Sequence, residues 1–490
     1  MQASRLLRLA TLMLLPIAGA SASAQSVDEQ ISRITSTMTP SIVVKGAPEK
    51  YHTLADTMAK YNVPGVSIAL IHDGKLAWAQ GFGVKTAGSK DAVTSNTLFQ
   101  AASISKPVSA TAMLKLVEQG KLSLDTPINT YLKTWQLPDN EFTKTEPVTL
   151  RRLVSHSAGL NVHGFPGYAS DAKVPTVQQI LDGKAPANTK ALQVVMTPGS
   201  TWRYSGGGTT IMQLAMVETT GEAFPALMQR LVLDPIGMQN SAFEQPLSKA
   251  KQDLAAAGHD DQGKMVGGRW HTYPELAAAG LWTTPTDLTK WAIEIAEARA
   301  GKSTKTLSQK MATEMLTVQK APSGLGPALG NAGDALYFQH GGSNEGYSCF
   351  VAYFPALGRG AAIMTNGDAG SVVYRQILNA LAKEYQWPGY KAREIETVAP
   401  DASTLAQLVG EYPLPAMSPN DTPRSAFITQ ENGKLMIEAA QFLAKDEIVL
   451  LANDELIVPD NGFQLKLARD KDGRVTHLEF GSRKIVKKNR

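Results

Sequence analysis

Ser103-Ile104-Ser105-Lys106 sets a hydroxyl and an amine three residues apart. On a helix that spacing places both side chains on one face. A serine hydroxyl is a weak nucleophile until a base removes its proton. A lysine is such a base only when neutral, a state favoured by burial or a neighbouring positive charge. The same Ser-x-x-Lys spacing recurs at Ser170–Lys173 and Ser248–Lys251, so spacing alone selects nothing, and an isolated pair reads as a capping serine beside a solvated lysine. Context separates Ser103. It follows the apolar approach Leu98-Phe99-Gln100-Ala101-Ala102 and opens a helical run through Val108, Met113, Leu114, Leu116 and Val117, which Gly120 ends. Pro107 fits only the first turn of a helix, which fixes the start near Ser103. A helix N-terminus there offers N–H groups and the positive end of a dipole to a developing oxyanion.

Two further segments bear polar groups on tight backbone. Tyr204-Ser205-Gly206 follows the Pro198-Gly199 turn, and His340-Gly341-Gly342-Ser343 precedes an apolar strand. Paired glycines on such an approach let backbone lie close to a ligand. Taken singly, Tyr204 reads as a core tyrosine and His340 as a turn histidine. Cys349, the single cysteine, lies in the apolar run Tyr347–Phe354 and reads as a packing residue. One cysteine forms neither an internal disulfide nor a cysteine-rich metal cluster. Other chemistries lack their signatures. Ser155-His156-Ser157-Ala158-Gly159 lacks the first glycine of a nucleophile elbow. Gly301-Lys302-Ser303 lacks the earlier glycine of a phosphate loop, and the eight histidines show no metal-ligand spacing. No metal and no cofactor is expected.

The elements that must position these residues alternate in type. Val66–Ile71 and Leu76–Gln80 flank His72-Asp73-Gly74-Lys75 as a hairpin. Cys349–Phe354 and Ala361–Asn366 read as further strands, and 107–119, 208–219 and 286–297 as helices. Strands at both ends with helices between predict an α+β domain whose sheet is closed by distant segments. From Trp387 to Ser403 the chain is Pro-containing, charged and aperiodic. Beyond it, Asn432-Gly433, Asn461-Gly462 and Asp472-Gly473 are hairpin-turn signals. Phe463, Leu465 and Leu467, then Thr476, Leu478 and Phe480, alternate as half-buried strands do. The expected organisation is a domain over 25–395, a linker over 396–404 and an antiparallel β domain over 405–490.

Composition is that of a globular protein, 43% apolar and 19% charged over 490 residues. The formal charge of +4 demands neither nucleic acid nor a membrane surface as partner. Residues 1–24 have the three parts of a secretory signal: Arg5 and Arg8, the apolar run Leu9–Ile17, and Ala22-Ser23-Ala24. Its removal leaves no stable membrane span and a periplasmic or secreted protein of charge +2, since two arginines and no acid are lost from +4.

In the order Ser-x-x-Lys, Tyr-Ser-x, His-x-Gly, the chain resembles the class C β-lactamase-like serine hydrolases, a group that includes penicillin-binding proteins, D-alanyl-D-alanine carboxypeptidases, D-aminopeptidases and esterases. The resemblance covers roughly 50–385, with support from Leu153–Leu160, Pro235–Met238 and Ala279–Leu288. It implies a β-lactamase/transpeptidase-like domain and, for the C-terminal segment, a small lipocalin-like β domain. It also implies roles. Ser103 is acylated, Lys106 and Tyr204 move the proton, the N–H groups of Ser103 and Ser343 form the oxyanion hole, and His340 with Gly341 and Gly342 supports the substrate. Two departures bear on the substrate. His340 stands where lysine would receive a carboxylate, and Gly206 stands where asparagine often contacts an amide. The expected substrate is a small ester, peptide or β-lactam-like molecule. The expected activity is ester or amide hydrolysis, including D-amino-acid peptides. The alternatives are a weak β-lactamase or D-alanyl-D-alanine carboxypeptidase, or a non-catalytic cell-wall or peptide-binding protein. Trp202, Trp270 and Trp282 are candidates to line an acyl pocket.

Overall fold

The computed structural model describes residues 26–48, 50–414, 424–439, 443–481 and 483–488; the expected signal segment lies outside them. A six-stranded antiparallel sheet frames the larger part. Its strands are β1 Gly65–His72, β2 Lys75–Gly83, β3 Ala328–Ala332, β4 Ala335–Asn344, β5 Tyr347–Phe354 and β6 Arg359–Thr365, in spatial order β2-β1-β6-β5-β4-β3. The β1–β2 turn is Asp73-Gly74 with φ of 49° and 72°, the double positive that a right-twisted two-residue hairpin requires. β1 pairs with β6, Ile68 opposite Ile363, so the sheet closes through distant segments as the sequence predicts.

The helices that matter for the site are α1 Val27–Ser36, α2 Ser105–Glu118, α3 Gly206–Thr220, α4 Leu276–Ala279, α5 Pro285–Arg299 and α6 Gly370–Glu384. They cover both faces of the sheet, and β6 shows how. Ala361 and Ile363 pack with α1 and α6 in one core. Ala362 and Met364 point to the other face, into the large core that contains α2, α3 and α5. That alternation is the period of two of a strand buried on both sides. Ile363 and Met364 each contribute about 1.5–3 kcal/mol by leaving water. Cys349 is fully buried among them, and burial pushes its thiol up to about 12, in keeping with a packing residue.

Beyond residue 395 the strands form two antiparallel sheets. Four strands run from Gly410–Leu414 to Leu443–Glu447, and five from Val449–Leu450 to Arg483–Ile485. They share one apolar core that includes Ile428, Ile437, Leu456, Leu467 and Leu478. Asn432-Gly433 turns with φ of 52° and 80°. Leu465, Leu467 and Leu478 face inward, whereas Phe480 is exposed and stacks on Phe463 at 5.4 Å. The aperiodic stretch before this part is partly ordered. Arg393–Ile395 pairs in parallel with Ile42–Val44, and Ala402–Leu408 is a helix capped by the Asp401 side chain. Seven residues with two buried positions carry too little periodicity to announce a helix.

Candidate active site

The Ser103 turn forms where the approach strand Phe99–Gln100 runs into α2. Ala102, fully buried, holds φ of +49°, an uncommon conformation for a residue with a side chain. A single 3-10 turn, Ala102–Ile104, then leads into α2, with Pro107 in its first turn. Ser105 pins this bend by donating to the Ala102 carbonyl at 2.5 Å and accepting from the Leu281 N–H at 3.0 Å. Ser103 therefore sits just ahead of the α-helix, and Gly120 at φ +70° ends α2 as expected.

Lys106 is 4% exposed. Its Nζ donates to Ser103 Oγ at 2.9 Å and to the Ala278 carbonyl of α4 at 2.8 Å. The same ammonium lies 5.1 Å from the centre of the Tyr204 ring, within the range of cation–π attraction. Tyr204 is boxed by other rings, His156 at 4.2 Å, His163 at 4.8 Å and Trp202 at 6.3 Å between centres. His340 completes the group at 6.2 Å. Ser205 holds the backbone in place, since its Oγ donates to the Val162 carbonyl and accepts from the Gly208 N–H, capping α3. The start of α3 is close-packed at Gly206, where a Cβ would sit 3.0 Å from Phe165 and 3.1 Å from the His163 carbonyl.

β4 brings the third segment. A Cβ at Gly342 would lie 2.2 Å from the Ala101 carbonyl, so glycine is what lets this strand reach the Ser103 turn. Gly341 meets no such limit, with its nearest neighbour at 3.6 Å. His340 Nδ1 lies 2.6 Å from the Gly341 carbonyl. A carbonyl only accepts, so this nitrogen carries the proton. Burial, reinforced by the Lys106 charge, pushes His340 down to about 4. Burial likewise lowers His156, again with Lys106 next in weight. Both rings are neutral near pH 7.

These groups line one open cleft of about 650 Å³ that holds Ser103, Lys106, Tyr204, His340, Gly341, Gly342 and Ser343. Every residue given a catalytic, oxyanion or support role from the sequence lines it. Trp202 lines it too, 38% exposed and held by its Nε1 donating to Ser323 Oγ at 3.0 Å. Trp270 and Trp282 do not: they pack edge to face at 5.0 Å inside the core, which corrects the expectation for those two. The sequence reading missed several cleft residues, among them His163, Asn344 and Asp368, and the ring of His156 behind Tyr204. Only His156 had a signal, its place in the Leu153–Leu160 stretch. Asn344 donates to Gln100 Oε1 and to the Ala279 carbonyl, tying β4 to α4. A larger cavity of about 900 Å³ lies between the N-terminal segment and the C-terminal sheets, bordered by Ile42, Lys60, Asp446 and Asp460; it contains no nucleophile–base pair. Among the described residues no cluster of His, Cys, Asp and Glu suits a metal ion, and no helix is long and apolar enough to cross a membrane.

A sheet covered on both faces by helices, with a Ser-x-x-Lys turn at the seam, is the frame of the β-lactamase-like serine hydrolases. The family profile described as Beta-lactamase matches residues 52–384, more than half of the chain, and the chain belongs to that family. It is 26% identical over 351 residues to a beta-lactamase from Pseudomonas fluorescens, a match covering 64% of this chain and 91% of that protein. It is 27% identical over 255 residues to an unguisins hydrolase from Aspergillus violaceofuscus, covering 48% of this chain. The match spans only 42% of the fungal protein's length. Among solved structures, the octameric penicillin-binding protein homologue from Pyrococcus abyssi superposes with a TM-score of 0.59 at 23% identity, over 89% of this chain and 98% of that one. A D-amino acid amidase from Ochrobactrum anthropi does so with 0.55 at 22% identity, over 68% and 95%. At such identities the likeness speaks for the fold.

Proposed function

We propose that this chain is an exported serine hydrolase that cleaves a small ester or amide through an acyl-enzyme on Ser103. The observation that carries the reading is the pair of bonds made by Lys106, to Ser103 Oγ and to the Ala278 carbonyl. The contact puts the nitrogen within hydrogen-bond reach of the hydroxyl, where the neutral amine would accept its proton. Ser103 Oγ attacks the substrate carbonyl carbon while its proton passes to Lys106 in its neutral form, or to Tyr204 as the phenolate beside the Lys106 ammonium. The N–H groups of Ser103 and Ser343 receive the oxyanion, each donor worth about 3–4 kcal/mol in the transition state. The leaving group departs with a proton returned by the same pair, and water then releases the acid by the reverse sequence. Neutral His340 orients the β4 edge through its bond to Gly341 and offers no positive charge to a substrate carboxylate. Together with the absence of an amide-contacting side chain at Gly206, this favours ester or simple amide substrates over β-lactams and peptide C-termini.

Intact-mass spectrometry tests the reading after incubation with a fluorophosphonate, a short p-nitrophenyl ester and a penicillin. The expected result is one fluorophosphonate adduct that is absent in Ser103→Ala, with rapid turnover of the ester. A lasting penicillin adduct would instead favour penicillin-binding behaviour. No adduct from any reagent on folded protein would reject the catalytic reading in favour of a binding protein.

A further inference from the structure

The cleft holds two formally charged side chains, Lys106 and Asp368. Lys106 is committed to Ser103 and Ala278. Asp368 follows β6 and lines the cleft together with Phe350, Ser371 and Tyr374. Its place is fixed from three directions. The Gly346 N–H donates to Oδ1 at 2.6 Å, the Ser348 hydroxyl donates to its carbonyl at 3.0 Å, and its own N–H donates to the His259 carbonyl at 3.0 Å. Ser348 is in turn the cross-strand partner of Ser343, so Asp368 lies two short steps from the proposed oxyanion donor. No salt bridge reaches it among the described residues. Burial pushes it up to about 7, and the charges that add to this are Glu345 in the β4–β5 turn and Asp261 and Asp260 in the segment between α3 and α4, all acidic; Tyr273 and His259, whose carbonyl accepts from the Asp368 N–H, also face it. A half-buried carboxyl without a cation is held in unfavourable surroundings that a bound cation would relieve. With His340 in the same cleft neutral, the charge pattern of this cleft suits a cation where a carboxylate-binding cleft would present a positive group.

We propose that Asp368 is a specificity-determining residue and that the preferred substrates are esters or amides carrying a protonated amine, bound beside Phe350, Asp368 and Tyr374 in the cleft. The inference rests on the Ser103 cleft being the substrate site, and it is tested by binding so that it stands or falls separately from catalysis. Calorimetry on Ser103→Ala protein would use ω-aminoacyl anilides with one, three or five methylenes between amine and carbonyl, alongside N-acetylated and ω-carboxyl counterparts. The expected result is that the amine binds at least tenfold more tightly than its N-acetyl counterpart for at least one spacer. The ω-carboxyl compound should bind more weakly still. In Ser103→Ala/Asp368→Asn that preference should fall below threefold. Should the double variant fail to fold, the pH dependence of the three- and five-methylene compounds decides: the preference must grow between pH 5.5 and 8 as Asp368 ionises while their alkylamines stay charged. A preference below tenfold at every spacer, one that survives Asp368→Asn, or one that is flat with pH overturns the proposal. A tenfold preference in a protein that no acylating reagent modifies would leave the proposal standing and reject only the hydrolase reading.

Discussion

Lys106 has three N–H donors, of which two are spent on Ser103 Oγ and the Ala278 carbonyl, and the ammonium faces the Tyr204 ring. Proton transfer by a positioned group typically contributes 10²–10⁴-fold. Lys106→Met and Tyr204→Phe are therefore each expected to lower kcat/KM for p-nitrophenyl acetate by about that factor. Because the two groups share one proton path, the double variant should lose little more than the worse single one. Stopped-assay kinetics on the three proteins would show this, and multiplicative losses would reject a shared path. His340 leads to a different expectation. Its folded-state value, pushed down to about 4 by burial, lies below the ordinary histidine value of about 6.5. The unfolded chain thus takes up this proton first as pH falls. The stability tied to neutral His340 is fully present above about pH 6.5 and is lost progressively as pH drops towards 4. His340→Asn should flatten the acid slope of denaturant-derived stability by up to about 1.4 kcal/mol per pH unit in that window. An unchanged slope would mean that the ring is not buried neutral.

At the scale of elements, the Ser103 cleft exists because β4 touches the Ser103 turn. Gly342→Ala would press a methyl into the Ala101 carbonyl at 2.2 Å, so one of the two must shift by an ångström or so. Displacements of that size cost about 10²-fold in rate. The expected result is a loss of about two orders of magnitude in kcat with a small change in Tm, read by kinetics and thermal melts together; retained activity would show that the strand has room. α4 makes a second case. Glu275, directly before it, is fully buried, and neither carboxyl oxygen has a partner among the described residues. Burial pushes it up to about 8. The unfolded carboxyl ionises from about pH 4.3, so this residue erodes stability as pH rises from there to about 8 and no further above it. Glu275→Gln should stabilise the protein more at pH 8 than at pH 5 in urea melts, and an equal effect at both would contradict the burial argument. Much of this scale was legible in the sequence. Asp73-Gly74 and Asn432-Gly433 fall in hairpin turns, Pro107 and Gly120 bracket α2, and the Ser103–Lys106 face is as spaced. What escaped were groups without a side-chain signature or without local context. The Ala278 carbonyl that holds Lys106 is backbone, Asp368 joins the cleft only through sheet closure, and an isolated tryptophan carries no mark of whether it lines a cleft, like Trp202, or a core, like Trp270 and Trp282.

At the scale of the whole molecule, the C-terminal sheets are fastened to the hydrolase part by a few polar and apolar contacts. Lys60 donates to Asp446 at 2.5 Å and Asp460 at 2.7 Å, and Tyr61 Oη donates to Asp460 at 2.5 Å. Nearby, Ile42, Ile395 and Ile457 form a small apolar cluster, and the Ile42 N–H donates to the Pro459 carbonyl at 3.1 Å. Lys60→Met would leave two carboxylates facing each other, at a cost of about 1–3 kcal/mol given that the lysine is part-exposed. Differential scanning calorimetry should show a lowered Tm, with ester hydrolysis at 25 °C unaffected; a joint loss of both would mean that the seam also shapes the cleft. The pairing of β1 with β6 has a further consequence, in time rather than space. About 290 residues separate Leu70 from its partner Ala361. At a synthesis rate of about 5–20 residues per second, the central strand waits roughly 15–60 s for its neighbour to be made. Throughout that interval the apolar β1 has one flank without its native neighbour, an exposed strand edge of the kind that makes incomplete chains prone to aggregate.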